Sequence, residues 1–248
     1  MLILLFLLTT LGWASEQTLI YDLSIDGAVV GERKVTIRYM PPIEGVAGAS
    51  RLIQSWFDVD TRIAGQHVKI QSRSSARASD SDSSFAMSIA ENGVVREIQG
   101  QRQWDGVWQV VAIEHGERKT WNHRRTEVTL SSMDFLDPSR HKLMTLDTQA
   151  GVLVAETGQV VQGAVSELGD KELLVNGKIV LVEEWGWSPD MGQVVMSWNQ
   201  EGLLLAYSVS FMGKTLDAVV RDVPPTRSYG NIDLSTVSDD VVVEEEEL

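Results

Sequence analysis

Residues 18–39 read TLIYDLSIDGAVVGERKVTIRY, and this stretch decides the fold class. In its first half Leu19, Tyr21, Leu23 and Ile25 share one face of an extended chain, and Asp22 and Ser24 share the other. Successive side chains of a strand point to opposite sides, so this alternation predicts a half-buried strand. Asp26-Gly27 then supplies a two-residue turn, whose favoured form needs positive φ at both positions. Beyond it Val29, Val35, Ile37 and Tyr39 continue one face, while Glu32, Lys34, Thr36 and Arg38 take the opposite one. The unit is a β-hairpin. Pro41-Pro42 ends it, because proline cannot donate to a ladder.

Working outward, similar turns recur at Glu91-Asn92-Gly93, Asp105-Gly106, His115-Gly116, Asn176-Gly177, Glu201-Gly202 and Met212-Gly213. Between them strands are predicted at Leu52 to Val59, His67 to Ser72, Phe85 to Ala90, Val94 to Gln99, Val107 to Ile113 and Glu117 to Trp121. Ser72 to Ser84 is rich in Ser and Asp and reads as a polar strand with a loop near Asp80 to Ser83. The rhythm breaks near 127–138, where Val128, Leu130, Met133 and Leu136 no longer alternate and Asp137-Pro138 is a stop signal. A short helix or crossover is expected there. Strands resume at Leu143 to Leu146, Val152 to Thr157, Gln159 to Leu168, Lys171 to Val175, Lys178 to Trp185, Gln193 to Trp198, Leu203 to Phe211 and Thr215 to Arg221. The predicted fold is all-β: one antiparallel meander over 15–223, forming a strongly curved sheet or open barrel.

The flanking segments differ in kind. Leu2 to Leu11 is an apolar run of signal-peptide length, and Gly12-Trp13-Ala14 offers a cleavage site, so 1–14 reads as a cleaved signal peptide. Residues 224–248 read as a disordered acidic tail, ending in Glu244 to Glu247. No second apolar stretch of about eighteen residues follows, so an integral membrane protein is not expected. Cysteine is absent. The compartment expected is the periplasm or the exterior.

The formal charge is −14, and the acids at Asp239, Asp240 and Glu244 to Glu247 account for six of it, leaving −8 for the rest. Nucleic acid needs clustered Lys and Arg, so it is not an expected partner. No Gly-x-Ser-x-Gly elbow, HExxH, Walker or dinucleotide motif occurs, and no cofactor, metal or catalytic residue is expected. His115 and His123 with Glu114 could be drawn as a metal site, but hairpin turns carry such residues ordinarily. Trp104 and Trp108 flank the Asp105-Gly106 turn and suggest a cross-strand aromatic pair. Trp185 and Trp187 lie two apart, on one face of a strand.

Tyr21-Asp-Leu-Ser-Ile-Asp-Gly-Ala-Val-Val-Gly31, then Leu146-Asp-Thr-Gln-Ala-Gly151, and then Val195-Met-Ser-Trp-Asn-Gln-Glu-Gly202-Leu-Leu together are similar to segments of uncharacterised proteobacterial periplasmic families. Asn199 departs from the Asp that is commoner there. The resemblance implies a domain of unknown function whose fold is like the LolA/LolB lipoprotein carriers, an incomplete β-barrel around an apolar cavity. It implies no catalytic residues.

The function expected is therefore non-catalytic: binding of a lipid, an acyl chain or another apolar ligand in a barrel cavity. The ligand-binding residues expected are Tyr21, Leu23, Trp185, Trp187, Trp198, Leu205, Tyr207 and Phe211, with the crossover near Met133 to Pro138 as a plug or lid. The alternative is an envelope structural or interaction protein with a filled core, binding a protein partner through strand edges or the acidic tail.

Overall fold

The computed structural model of the protein describes residues 16–39, 51–78, 83–140, 148–190, 192–211 and 213–223. The signal segment, the acidic tail, Pro41-Pro42, the Asp80 loop and the strand expected at Leu143 to Leu146 lie outside the described residues. Fifteen strands form one sheet. The first eight are β1 (Glu16–Ile25), β2 (Ala28–Tyr39), β3 (Arg51–Ile63), β4 (Gln66–Ala78), β5 (Ser83–Glu91), β6 (Val94–Arg102), β7 (Trp108–Glu114) and β8 (Glu117–His123). A two-residue β9 (Leu130–Ser131) leads into a 3-10 turn at Ser132–Leu136, the break that the sequence predicts. The remainder are β10 (Gln149–Val154), β11 (Gln159–Val175), β12 (Lys178–Pro189), β13 (Val194–Trp198), β14 (Leu204–Phe211) and β15 (Lys214–Val220).

The order across the sheet is β8-β7-β6-β5-β4-β3-β2-β1-β15-β14-β13-β12-β11-β10-β9. Two meanders are thus joined where the first and last strands pair, Tyr21 opposite Val220 and Leu23 opposite Ala218. All neighbours are antiparallel except β9 and β10. The two outer strands, β8 and β9, are consecutive in the chain, so the sheet curls until its edges face one another without closing. At this seam the His123 Nε2–H donates to the Gly158 carbonyl at 2.8 Å. A Cβ on Gly158 would meet the Val110 and Trp121 side chains of β7 and β8, so the β10–β11 turn packs against the far edge.

Turn chemistry builds the hairpins. Asp26, Asn92, His115 and Asn176 all take positive φ, and each is followed by a Gly that does the same. Ala64-Gly65 joins β3 to β4 in this way too (φ 50° and 83°), a turn that its alanine concealed. Residues 159–175 are one strand rather than two, because Gly169 (φ 91°) forms a bulge inside it where a break was expected. Trp104 and Trp108 do not pair. Trp104 is 96% exposed, while Trp108 is buried with its ring 6.0 Å from that of Phe85. The turn closes between Gln103 and Val107, and its geometry sends the two indoles apart. Among the described residues no helix is long and apolar enough to cross a membrane.

One core lines the inside of the curl. Leu19, Tyr21, Leu23 and Ile25 meet Val35, Ile37, Ile53 and Val59 from the next strands, and Leu216, Ala218 and Val220 from β15. Met133 and Leu136 of the 3-10 turn are buried in the same cluster. The crossover therefore enters the sheet's interior as a plug.

Candidate functional site

The plug does not fill the space available to it. Between it and the wall lies an apolar lobe of about 290 Å³, bordered by Phe135, Leu136, Val152, Trp187, Met196 and Leu204. A second lobe of about 300 Å³ continues toward β3, β4 and β5, and is lined by Ser55, Phe57, Ser72, Ser74, Met87 and Arg96 among others. The lobes share Arg33, Glu156, Tyr207 and Val209, so they adjoin at a polar waist. Each volume is near the lower end for small-ligand sites. Glu156 is an exposed residue of the β10–β11 turn, which places an opening at the rim.

The waist is built from β1, β2, β3 and β14. Arg33 has the parity of Val35 and Ile37 in β2, and so faces inward. Its Nε donates to the Ser55 Oγ at 3.0 Å and its Nη1 to the Tyr207 hydroxyl at 3.1 Å. The Tyr21 and Tyr207 rings lie 5.9 Å apart. Burial pushes the Tyr21 phenol up, against the pull of Arg33, so it stays neutral. It donates to the Leu204 carbonyl at 2.6 Å. That carbonyl lies at a bulge. Ser197 pairs with Ala206 and Trp198 with Leu204, leaving Leu205 unpaired. Burial opposes the Arg33 charge, but Tyr207 and the Glu156 carboxylate outweigh it, so the guanidinium is pushed up from its ordinary value. A guanidinium remains protonated under these conditions.

Of the eight residues expected to bind ligand, Trp187 and Tyr207 border the cavity. Tyr21 is fully buried beside Tyr207, and Leu23 is fully buried in the core. Trp198 is buried to 1% and braces the plug, its indole N–H 3.5 Å from the Phe135 carbonyl. Trp185 is half-buried and donates to the Glu183 carboxylate at 2.8 Å. Leu205 is buried, but the bulge turns Leu204 to the cavity in its place. The Phe211 side chain lies outside the described residues. Arg33 was missed, although its parity in a strand with an apolar inner face was a readable signal. His115 sits in the β7–β8 turn and His123 at the far end of β8, roughly 20 Å away at strand rise, so they share no coordination sphere. Among the described residues no group of three or more His, Cys, Asp or Glu could hold a metal ion.

A second polar cluster clasps the plug. The Asp134 carboxylate accepts from the Ser131 N–H at 2.7 Å and the Ser131 hydroxyl at 3.1 Å, with Arg140 at 3.5 Å. Burial pushes the Asp134 carboxyl up, outweighing the pull of Arg140 and Ser131; Asp137 pushes the same way. A raised carboxyl favours the protonated form in the fold. Its contribution to stability is therefore whole below the unfolded value, about 3.9, and is lost as pH rises through the folded one. Asp134→Asn cannot ionise. Its stability relative to wild type is expected to rise between about pH 4 and pH 7, read from urea denaturation at each pH. A difference that falls over that range would contradict the assignment.

A larger recess of about 420 Å³ lies on the outer face, against side chains such as Gln99, Gln101, Gln109 and Arg77. It is an ordinary polar sheet surface, without the convergence of buried groups found inside.

No protein-family model matches the sequence, and no curated protein matches it. Among solved structures, a β-barrel-like protein of the domain of unknown function DUF1849 from Brucella abortus is similar in fold. It aligns with a TM-score of 0.58 over 84% of this chain and 96% of its own, at 14% identity. The chain is thus similar, in fold alone, to a β-barrel-like protein of a domain of unknown function.

Proposed function

We propose that the protein is a non-catalytic periplasmic protein that holds a lipid, an acyl chain or another apolar ligand inside its open barrel. The observation that carries this reading is the apolar lobe left between the plug and the wall at Trp187 and Met196. Apolar surface bordering a cavity of ligand size is stabilised when a hydrocarbon replaces water there. The resemblance of its hairpin motifs to periplasmic families of LolA/LolB-like fold supports the same reading, as does the apolar run Leu2 to Leu11. Native mass spectrometry of protein purified without detergent tests it. An added mass removed by organic extraction is expected; no added mass, together with no uptake of supplied fatty acid, would overturn it.

One observation favours the alternative of an envelope interaction protein. Leu174, Ile179 and Leu181 are exposed on the β11–β12 hairpin, where Leu174 and Ile179 pair. The same spectra separate the two readings, since this one expects a stoichiometric protein partner and no lipid mass.

A further inference from the structure

The centre of the cavity carries a charge that no carboxylate among the described residues contacts. Arg33 has five N–H donors, and two are engaged, by Ser55 and Tyr207. Among the described residues no carboxylate lies within 4.0 Å of its guanidinium, and no other hydrogen-bond partner is present. Glu156 acts on it through space from the exposed rim, where it accepts from the Ser132 hydroxyl at 3.2 Å. Arg33 is half-buried, and the surface it keeps accessible borders the two lobes. A partly desolvated charge without a contacting counter-charge is costly, and an anion bound beside it would offset that cost.

Other groups face the same point. Tyr207 accepts from Arg33, so its own hydroxyl proton is free to donate. Arg96 lines the polar lobe, and its buried Nε has no partner among the described residues. Ser72 and Ser74 add hydroxyls to that lobe. Its acids are Glu91 and Glu156, both exposed, so the cations stand inside and the carboxylates at the water. On the opposite side of Arg33 the lobe is walled by Phe135, Trp187 and Met196, and its polar groups are confined to Ser132 and the shared Arg33, Glu156 and Tyr207. Anion recognition and hydrocarbon burial are thus adjacent, on the two sides of one residue.

We propose that Arg33 anchors the anionic head of a single-chain amphiphile, a carboxylate or a phosphate, whose hydrocarbon tail fills the lobe between Trp187, Met196 and the plug. This rests on the ligand-binding reading above and adds the chemistry of the head group. A fork of donors suits either oxyanion, and Arg96 with the serine hydroxyls leaves room for the larger.

Isothermal titration calorimetry of the mature protein with dodecanol, dodecanoate and dodecyl phosphate, each below its micellar range, tests the proposal. The chains are equal, so the differences report the head. Both anions are expected to bind about tenfold or more tighter than the alcohol, the scale of charge-assisted hydrogen bonds. The tighter anion identifies the head as carboxylate or phosphate. Arg33→Gln is expected to remove the anion preference while dodecanol binding stays within about threefold, and Arg33→Lys to restore part of it. Equal binding of alcohol and anions by the wild-type protein would overturn the anchor and leave the apolar cavity standing. Binding of none of the three would overturn the cavity reading itself. The wild-type ranking needs no variant, so a misfolded Arg33→Gln cannot shelter the proposal.

Discussion

Replacing Gly31 by alanine is expected to destabilise the protein by about 3 kcal/mol or more, a large effect for a single methyl group. A Cβ at Gly31 would lie 2.0 Å from the Asp58 carbonyl oxygen and 2.9 Å from the Val59 Cα. Both are backbone atoms of β3, so no side chain can swing aside to relieve the clash. Gly31 pairs with Val59 on one side and with Leu23 on the other, just where the β1–β2 ladder shifts register between Leu23 and Ser24. Moving β3 away would break a ladder in the middle of the sheet and displace Arg33, two residues along. Gly27→Ala is the control. Gly27 has φ 79° with nothing within 4 Å of an added Cβ, so the cost there is only conformational, about 1 kcal/mol. Urea denaturation of the two variants compares them directly. Equal losses would mean that β2 and β3 do not approach so closely.

The hairpins were legible because their turns obey a local rule. Asp26-Gly27, Asn92-Gly93 and Asn176-Gly177 place residues that tolerate positive φ where the chain must reverse. Ala64-Gly65 reverses in the same way, but alanine carries no such signal. The single interruption was legible too, since Met133 and Leu136 fall out of the period of two. What joins the halves was not readable. The pairing of β1 with β15 unites residues about two hundred apart in sequence, and no local pattern specifies it. Gly31 stood in the quoted hairpin motif, yet only the close approach of β3 explains why that position is a glycine.

The site was partly legible. Trp187 and Tyr207 follow the alternation of their strands, and both border the cavity. The run Leu203 to Phe211 misled at one point, because the bulge at Leu205 shifts the phase by one residue and exchanges Leu205 for Leu204. Alternation detects faces but not inserted residues. Arg33 was passed over for the opposite reason. It lies among Glu32, Lys34 and Arg38 and reads as one of a charged group, although its parity is that of Val35 and Ile37. A charge on an apolar face was the signal, and the waist of the cavity is where it points.

The second large effect is expected at Trp187. Its ring lies 6.4 Å from that of Phe135, and its indole N–H donates to the Ala150 carbonyl at 3.2 Å, so it is fixed in the wall of the apolar lobe. Trp185 turns to Glu183, Trp198 is sealed against the plug backbone and Trp104 stands in solvent. Among the described residues Trp187 is the one indole that borders either lobe, so a heavy atom on a bound hydrocarbon tail would meet it before the others. The direct measurement is tryptophan emission during titration with dodecanoate carrying a terminal bromine, in wild type and in Trp187→Phe. Saturable quenching is expected in wild type and is expected to be mostly lost in Trp187→Phe, although the variant still takes up the ligand. Quenching that does not saturate, or that is undiminished in Trp187→Phe, would contradict a ligand lying between the plug and the barrel wall.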